Sequence, residues 1–179
     1  MRQAVLIALL AVATYGCSAN TAAPASAPSS PIKVLLVVPE DNIWEIQNDQ
    51  SHLDVAVENV SDAPIELYDG WNSWGWCNVS LEWEVDGAKG TVVHNPVHMW
   101  SKNLPSTTMV PSGAVVIFPV SLERDWVGWP NFDVTTRKIT VRAVYVSKEK
   151  GPGWVGSGSS APVTLTVRAW GDYHANHAP

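Results

Sequence analysis

Residues 79–85 read Val-Ser-Leu-Glu-Trp-Glu-Val, and Val79, Leu81, Trp83 and Val85 alternate there with Ser80, Glu82, Glu84 and Asp86. Successive side chains of a strand point to opposite faces, so this segment is a strand with one apolar face and one acidic, solvated face. The same period recurs on either side of it. Leu53, Val55 and Val57 alternate with His52, Asp54, Ala56 and Glu58, and Val116, Phe118, Val120 and Leu122 form a further set. Ile139, Val141, Ala143 and Tyr145 alternate with Lys138, Thr140, Arg142 and Val144; Val163, Leu165 and Val167 alternate with Thr164, Thr166 and Arg168. No stretch keeps a 3.6-residue apolar period over three turns, so the chain reads as all-β.

Turn chemistry separates these runs: Val60-Ser61-Asp62-Ala63-Pro64, Asp86-Gly87, Pro111-Ser112-Gly113 and Lys150-Gly151-Pro152-Gly153. About seven short antiparallel strands punctuated in this way predict two packed sheets. A closed barrel is the alternative. The connections are uneven in length, however, and the long ones, 95–105 and 123–136, suit the crossovers of a Greek-key sandwich. Lys33 to Val38 is continuously apolar after its lysine and is expected to be covered on both faces or to lie at a sandwich edge.

The N-terminus sets the compartment. Met1-Arg2 is a minimal positive region, and Ala4 to Ala13 is an unbroken apolar run too short to span a bilayer but long enough for a signal-peptide core. Thr14-Tyr15-Gly16-Cys17 resembles the lipobox of bacterial lipoproteins, which implies a signal peptide over residues 1–16 and a lipid on Cys17 that anchors the chain to a membrane. Tyr15 departs from the small residue usual there, and ordinary signal-peptidase cleavage after Ala13 or Ala19 is the alternative. Both readings export the protein. Ser18 lacks the Asp that retains some lipoproteins at the inner membrane, which favours outer-membrane sorting where that rule applies. Residues 17–31 carry only Cys, Ser, Ala, Asn, Thr and Pro, a composition that cannot bury enough apolar surface to order itself. They are expected to form a disordered linker with a reach of roughly 20 Å, leaving one folded domain over 32–170 and a disordered tail over 171–179.

Removing residues 1–16 takes Arg2 with it and moves the formal net charge from −6 to −7. An acidic chain with scattered Lys and Arg offers no phosphate-binding surface, so nucleic acid is excluded as a partner. Of the two cysteines, Cys77 lacks a partner if Cys17 is lipidated and then reads as a small buried hydrophobe; otherwise a Cys17–Cys77 bridge is open.

His52 to Leu67, an alternating strand, an Asn-x-Ser-Asp turn and a Pro-led strand, resembles the opening of many bacterial immunoglobulin-like domains. Pro111 to Leu122 is similar to their Pro-x-Gly turn and Phe-Pro-Val strand. More narrowly, Trp71-Asn72-Ser73-Trp74-Gly75, Asn103-Leu104-Pro105-Ser106-Thr107 and Trp126-Val127-Gly128-Trp129-Pro130 are similar to a group of secreted bacterial proteins with an immunoglobulin-like sandwich. The resemblance covers roughly residues 50–168. It implies that fold and an envelope location, and it brings no activity with it. A looser resemblance is to the intracellular proteinase-inhibitor type of immunoglobulin-like domain, against which the export signal argues.

Ten tryptophans against two phenylalanines is the compositional anomaly. Trp83 is in phase with the apolar face and is expected in the core, with Trp44 and Trp170 covering its ends. Trp71, Trp74, Trp76, Trp100, Trp126, Trp129 and Trp154 fall in segments read as loops. Loop indoles can stack on sugar rings or grip a protein partner, and Trp71, Asn72, Trp74, Trp76, Trp126 and Trp129 are the candidate ligand-binding set. In the competing reading the rings fold inward as a lid, Asn72 and Ser73 bind backbone groups, and Gly75 permits a tight bend.

Chemistry beyond binding is poorly signalled. His94 and His98 have ligand-like spacing, but Pro96 between them prevents the helix that would align both rings. Asp172, His174 and His177 cluster only in the tail, and Gly156-Ser157-Gly158-Ser159 reads as a loose loop rather than a nucleophile elbow. Glu82 and Glu84 share an exposed strand face, where solvation is the default. No cofactor, metal or catalytic centre is expected. The expectation is a non-enzymatic envelope protein acting as a protein-interaction or structural module, or else as a carbohydrate-binding module using its loop tryptophans; the partner is an envelope protein or a polysaccharide.

Overall fold

A computed structural model describes residues 30–47, 51–95, 103–122, 125–132, 136–148 and 150–169. Cys17, the expected signal peptide, most of the expected linker and the expected tail therefore lie outside the described residues. Within them the chain is all-β, with no helix. Its strands are β1 (Ile32–Val37), β2 (Ile43–Ile46), β3 (His52–Asn59), β4 (Ile65–Tyr68), β5 (Val79–Val85), β6 (Ala88–His94), β7 (Thr107–Val110), β8 (Val115–Ser121), β9 (Trp126–Val127), β10 (Arg137–Ser147), β11 (Gly156–Ser159) and β12 (Val163–Ala169). They form a three-stranded sheet in the order β1-β3-β8, a seven-stranded sheet ordered β2-β12-β10-β5-β6-β9 with β11 also on β10, and a two-stranded sheet β4-β7.

The alternating runs become these strands with the expected faces. Ile139, Val141, Ala143 and Tyr145 of β10 are all buried, and so are Val79, Leu81 and Val85 of β5 and Leu53, Val55 and Val57 of β3. Buried residues of the three-stranded sheet (Ile32, Val34, Leu36, Phe118, Val120) and of the seven-stranded sheet (Val92, Leu165, Val167) belong to one cluster with them. Each such side chain taken out of water contributes about 1.5–3 kcal/mol, which makes this shared core the main source of stability. The arrangement is consistent with a β-sandwich. Asp86 and Gly87 turn β5 into β6 with φ of 49° and 82°, the pair of positive angles that a two-residue hairpin turn requires.

Several expectations need correction. There are more strands than seven, because β2, β4, β7, β9 and β11 are too short or too polar to show a period. One pair is parallel: β2 lies beside β12 with Trp44 opposite Val167, although all pairs were expected antiparallel. A parallel pair needs a long connection, and here the strands come from opposite ends of the domain. Gly156 to Ser159 is not a loose loop but β11, paired with β10 from Val144 to Ser147. The missing Cβ at Gly158 helps it lie there, since one would stand 2.9 Å from a methyl of Val34. β1 is an edge strand, its outward residues Leu35 and Val37 exposed. Trp83 is only half-buried at the rim of the core, its indole N–H donating to the Gly128 carbonyl at 2.8 Å. Trp44, expected at an end, is buried in the core.

Asn59 ties the β3 turn to its neighbours. It is wholly buried, its amide donates to the carbonyls of Ala63 (2.8 Å) and Val110 (2.9 Å), and its carbonyl accepts from the backbone N–H and hydroxyl of Ser61. Asn59→Ala removes all four bonds and leaves Val110 without that donor. Urea unfolding is expected to show a loss of roughly 2–4 kcal/mol.

Among the described residues, three buried side-chain atoms have no hydrogen-bond partner: Asn78 Nδ2, the Tyr145 hydroxyl and Ser147 Oγ. Burial pushes the Tyr145 hydroxyl up to about 12 from its usual 10, only partly offset by the nearby Asn78 amide. A phenol whose folded pKa is raised contributes its full stability below about pH 10, and that contribution is lost as pH climbs toward 12. Two units correspond to about 3 kcal/mol. Tyr145→Phe removes an unbonded hydroxyl and keeps the ring that packs on Phe118 at 5.8 Å. At pH 7 the variant is expected to melt within about 1 kcal/mol of the parent, and between pH 10 and 12 to lose less stability than the parent does.

Candidate functional site

The segment between β4 and β5, 69–78, carries Trp71, Trp74 and Trp76 and is folded tightly on itself. Asn72 N–H donates to Asp69 O at 3.0 Å, while Gly75 and Trp76 N–H both donate to Asn72 O at 2.9 and 2.8 Å. The Asn72 side chain completes the turn: its Oδ1 accepts from Trp74 N–H at 3.0 Å and its amide donates to Leu104 O at 3.1 Å. Ser73 bonds the Asn103 side chain at 2.5 Å. A Cβ on Gly75 would fall 2.3 Å from Asp69 O, so only glycine permits so close a crossing of the chain.

This pinned turn sends its indoles three ways. Trp71 points outward and is 68% exposed. Trp74 packs on Tyr68 with centroids 5.9 Å apart. Trp76 turns in to stack on His94 at 4.0 Å and 19°, and Trp126 closes the other face of that imidazole at 3.6 Å and 29°. The backbone ladder creates the second contact, since His94 at the end of β6 is paired with Trp126 at the start of β9. His94 Nδ1 hydrogen-bonds the Trp76 carbonyl, which can only accept, so Nδ1 carries a proton.

A cleft of about 740 Å³ opens beside this stack. Its walls include Trp71, Trp76, His94 and Trp126 from the aromatic side and Tyr68, Val79 and Phe118 from the core. Asp69 and Asp125 also line it, as does His52, and no Lys or Arg does so among the described residues. Asp69 is held in place by two hydroxyls, Ser106 donating to Oδ2 at 2.5 Å and Thr108 to Oδ1 at 2.6 Å. The volume, and a lining of five aromatic rings with aliphatic and a few polar neighbours, fall in the range of small-molecule and side-chain pockets.

Of the six candidate ligand-binding residues, the structure brings Trp71, Trp76 and Trp126 together on the cleft. The other three are elsewhere. Asn72 is buried with its amide spent on the backbone, as the lid reading expected. Trp74 is committed to Tyr68, and Trp129 packs on Trp44 at 5.3 Å while donating to Ser121 O at 3.0 Å. The five indoles thus form no single flat platform: Trp126 is buried, and Trp71 is the one that stands well into solvent. His94, Asp69, Asp125 and Phe118 join the site although the sequence did not single them out as ligand contacts. His98, Trp100, Trp170, Asp172, His174 and His177 lie outside the described residues. Among the described residues no three His, Cys, Asp or Glu side chains gather as a metal site would need. Cys77, expected buried, is exposed, and partial desolvation raises its thiol above the usual value. Glu82 and Glu84 lie on the outer strand face, paired with Arg142 (Nε at 3.0 Å) and with Lys89 (3.1 Å).

No protein-family model matches the chain, and no curated protein matches its sequence.

Proposed function

We propose that the chain is an exported protein of the bacterial cell envelope, held to a membrane by a lipid on Cys17, whose immunoglobulin-like Greek-key sandwich is a non-catalytic interaction module. Its working surface is the aromatic cleft, which holds a segment of another envelope protein. The apolar run and the lipobox-like residues before Cys17 support the address, and the Ala/Ser/Pro linker supports a tethered domain. The observation that carries the binding role is Trp71. An indole left 68% exposed on a turn this tightly bonded, at the mouth of a concave aromatic site, is a large apolar surface held ready for a partner.

A photoreactive residue placed at position 71 in cells tests this. It is expected to yield a discrete adduct with one protein, whereas the same residue at position 86, in the hairpin turn at the far end of β5 and β6, yields none. Equal adducts from both positions would mean that the cleft is not the binding surface. The second reading, carbohydrate binding, is favoured by the exposed Trp71 ring beside the Asp69 carboxylate, a stacking face next to a hydrogen-bond acceptor. It predicts adducts with envelope polysaccharide instead, and a saturable shift of the Trp71 indole signal on adding oligosaccharide.

A further inference from the structure

We propose that the cleft recognises a cationic group, the side chain of a lysine or arginine on the partner's segment. The inference rests on the reading of the cleft as the binding surface and adds what that surface selects. Three features point the same way.

The first is charge. Asp69 and Asp125 line the cleft with no lining Lys or Arg among the described residues, on a chain of net charge −6. His52 and His94 line the cleft too, but neither is a permanent cation, so an anionic group entering there meets two carboxylates without a fixed positive charge to offset them, whereas a cation is drawn in by both the site and the whole molecule. The second is acceptor capacity. Each Asp69 oxygen takes one hydroxyl, from Ser106 or from Thr108, and a carboxylate oxygen has room for two donors. The hydroxyls fix the carboxylate's direction and leave it able to accept further bonds. Ammonium and guanidinium groups carry donors only, so they match a site rich in acceptors better than a sugar hydroxyl, which offers both roles. The third is the rings. Trp71, Trp76 and Trp126 line the same cleft, and an indole face attracts a cation more strongly than any other side-chain ring. Trp71 is exposed and makes no hydrogen bond among the described residues, so its face is available for this contact.

The test uses the full chain and three short capped peptides, Gly-Arg-Gly, Gly-Lys-Gly and Gly-citrulline-Gly, followed by the indole N–H signals and by calorimetry. Citrulline keeps the shape of arginine without its charge. The arginine or the lysine peptide is expected to shift the Trp71 signal saturably and to bind about tenfold more tightly than the citrulline peptide. Asp69→Asn preserves the side chain's shape but turns one acceptor oxygen into a donor amide, and is expected to weaken the cationic peptide about tenfold, with cooperative melting and parent-like signals of the other indoles as the check on folding. Which of the two charged peptides binds better tells guanidinium from ammonium. Equal binding of arginine and citrulline peptides, or full affinity in Asp69→Asn, overturns the cation proposal; a Trp71 shift in those experiments leaves the cleft as a binding surface. No shift with any peptide, together with no adduct from position 71, overturns both.

Discussion

Trp126→Ala is expected to destabilise the fold by about 3–5 kcal/mol, the range for truncating a large buried aromatic ring. Trp126 is 6% exposed and stands on the two-residue strand β9, which is joined to β6 through two residue pairs, Val93 with Val127 and His94 with Trp126. Its ring covers one face of His94 and borders the cleft. Removing it takes packing from the core margin and at the same time frees β9, so the loss should exceed that of an ordinary rim residue. Trp126→Phe, which keeps an aromatic face on His94, should recover more than half. Equilibrium denaturation of the three proteins measures this directly. A loss below about 1 kcal/mol for the alanine variant would mean that the ring does not fill the space assigned to it.

Gly128→Ala is expected to cost about 2–5 kcal/mol, for two separable reasons. Gly128 has φ of 93°, and a Cβ there would stand 2.1 Å from the Thr91 carbonyl oxygen. Positive φ alone costs a residue with a side chain about 1–2 kcal/mol, and forcing the backbone apart adds about 1–3 kcal/mol. Gly87 provides the control, since its φ is 82° but a Cβ would meet nothing within 4 Å. Gly87→Ala should therefore show the conformational cost by itself, and the difference between the two variants measures the contact. Because the Gly128 carbonyl accepts the Trp83 indole N–H, Gly128→Ala should also shift the Trp83 indole signal, which Gly87→Ala leaves in place. Equal losses in both variants would show that β6 and the 127–129 segment are not in such close contact.

The parts of the fold that could be read from the sequence are those where one strand carries its own pattern. In β3, β5, β10 and β12 apolar residues recur at every second position, and burial follows that period apart from the buried Ala56 and the half-buried Trp83; the Asp86-Gly87 turn is local chemistry as well. What could not be read depends on partners distant in the chain. β11 has no apolar residue at all and is a strand because β10 offers it an edge. Trp44 is a core residue because β2 lands beside β12, more than a hundred residues later in the chain. Trp83 obeys its period and is still only half-buried, because its strand partner Gly90 leaves room for the ring to lie over it toward Gly128.

The site divides in the same way. Trp71 and Trp76 were legible because a tryptophan-rich turn is visible as such, and Trp126 because tryptophan is costly to leave without a role. Whether each ring would face a ligand was not legible: it depends on Asn72 closing its turn against Leu104 and on Trp129 finding Trp44. His94 stands at ligand-like spacing from His98, a pairing that Pro96 argues against; the β6–β9 ladder places it between two indoles. Asp69 gained its place only through Ser106 and Thr108, which the β4–β7 pairing carries across to it.

Hydrogen exchange of the individual indole N–H groups in the full chain tests the arrangement of the cleft most directly. Trp71, exposed and unbonded, is expected to exchange fastest among the tryptophans of the described residues, and the buried Trp44 and Trp126 slowest. Trp76, Trp83 and Trp129, each bonded to a carbonyl and half-buried, should fall between them. Slow exchange at Trp71, or rapid exchange at Trp126, would contradict a cleft built with one indole held out for a partner and another closing its inner wall.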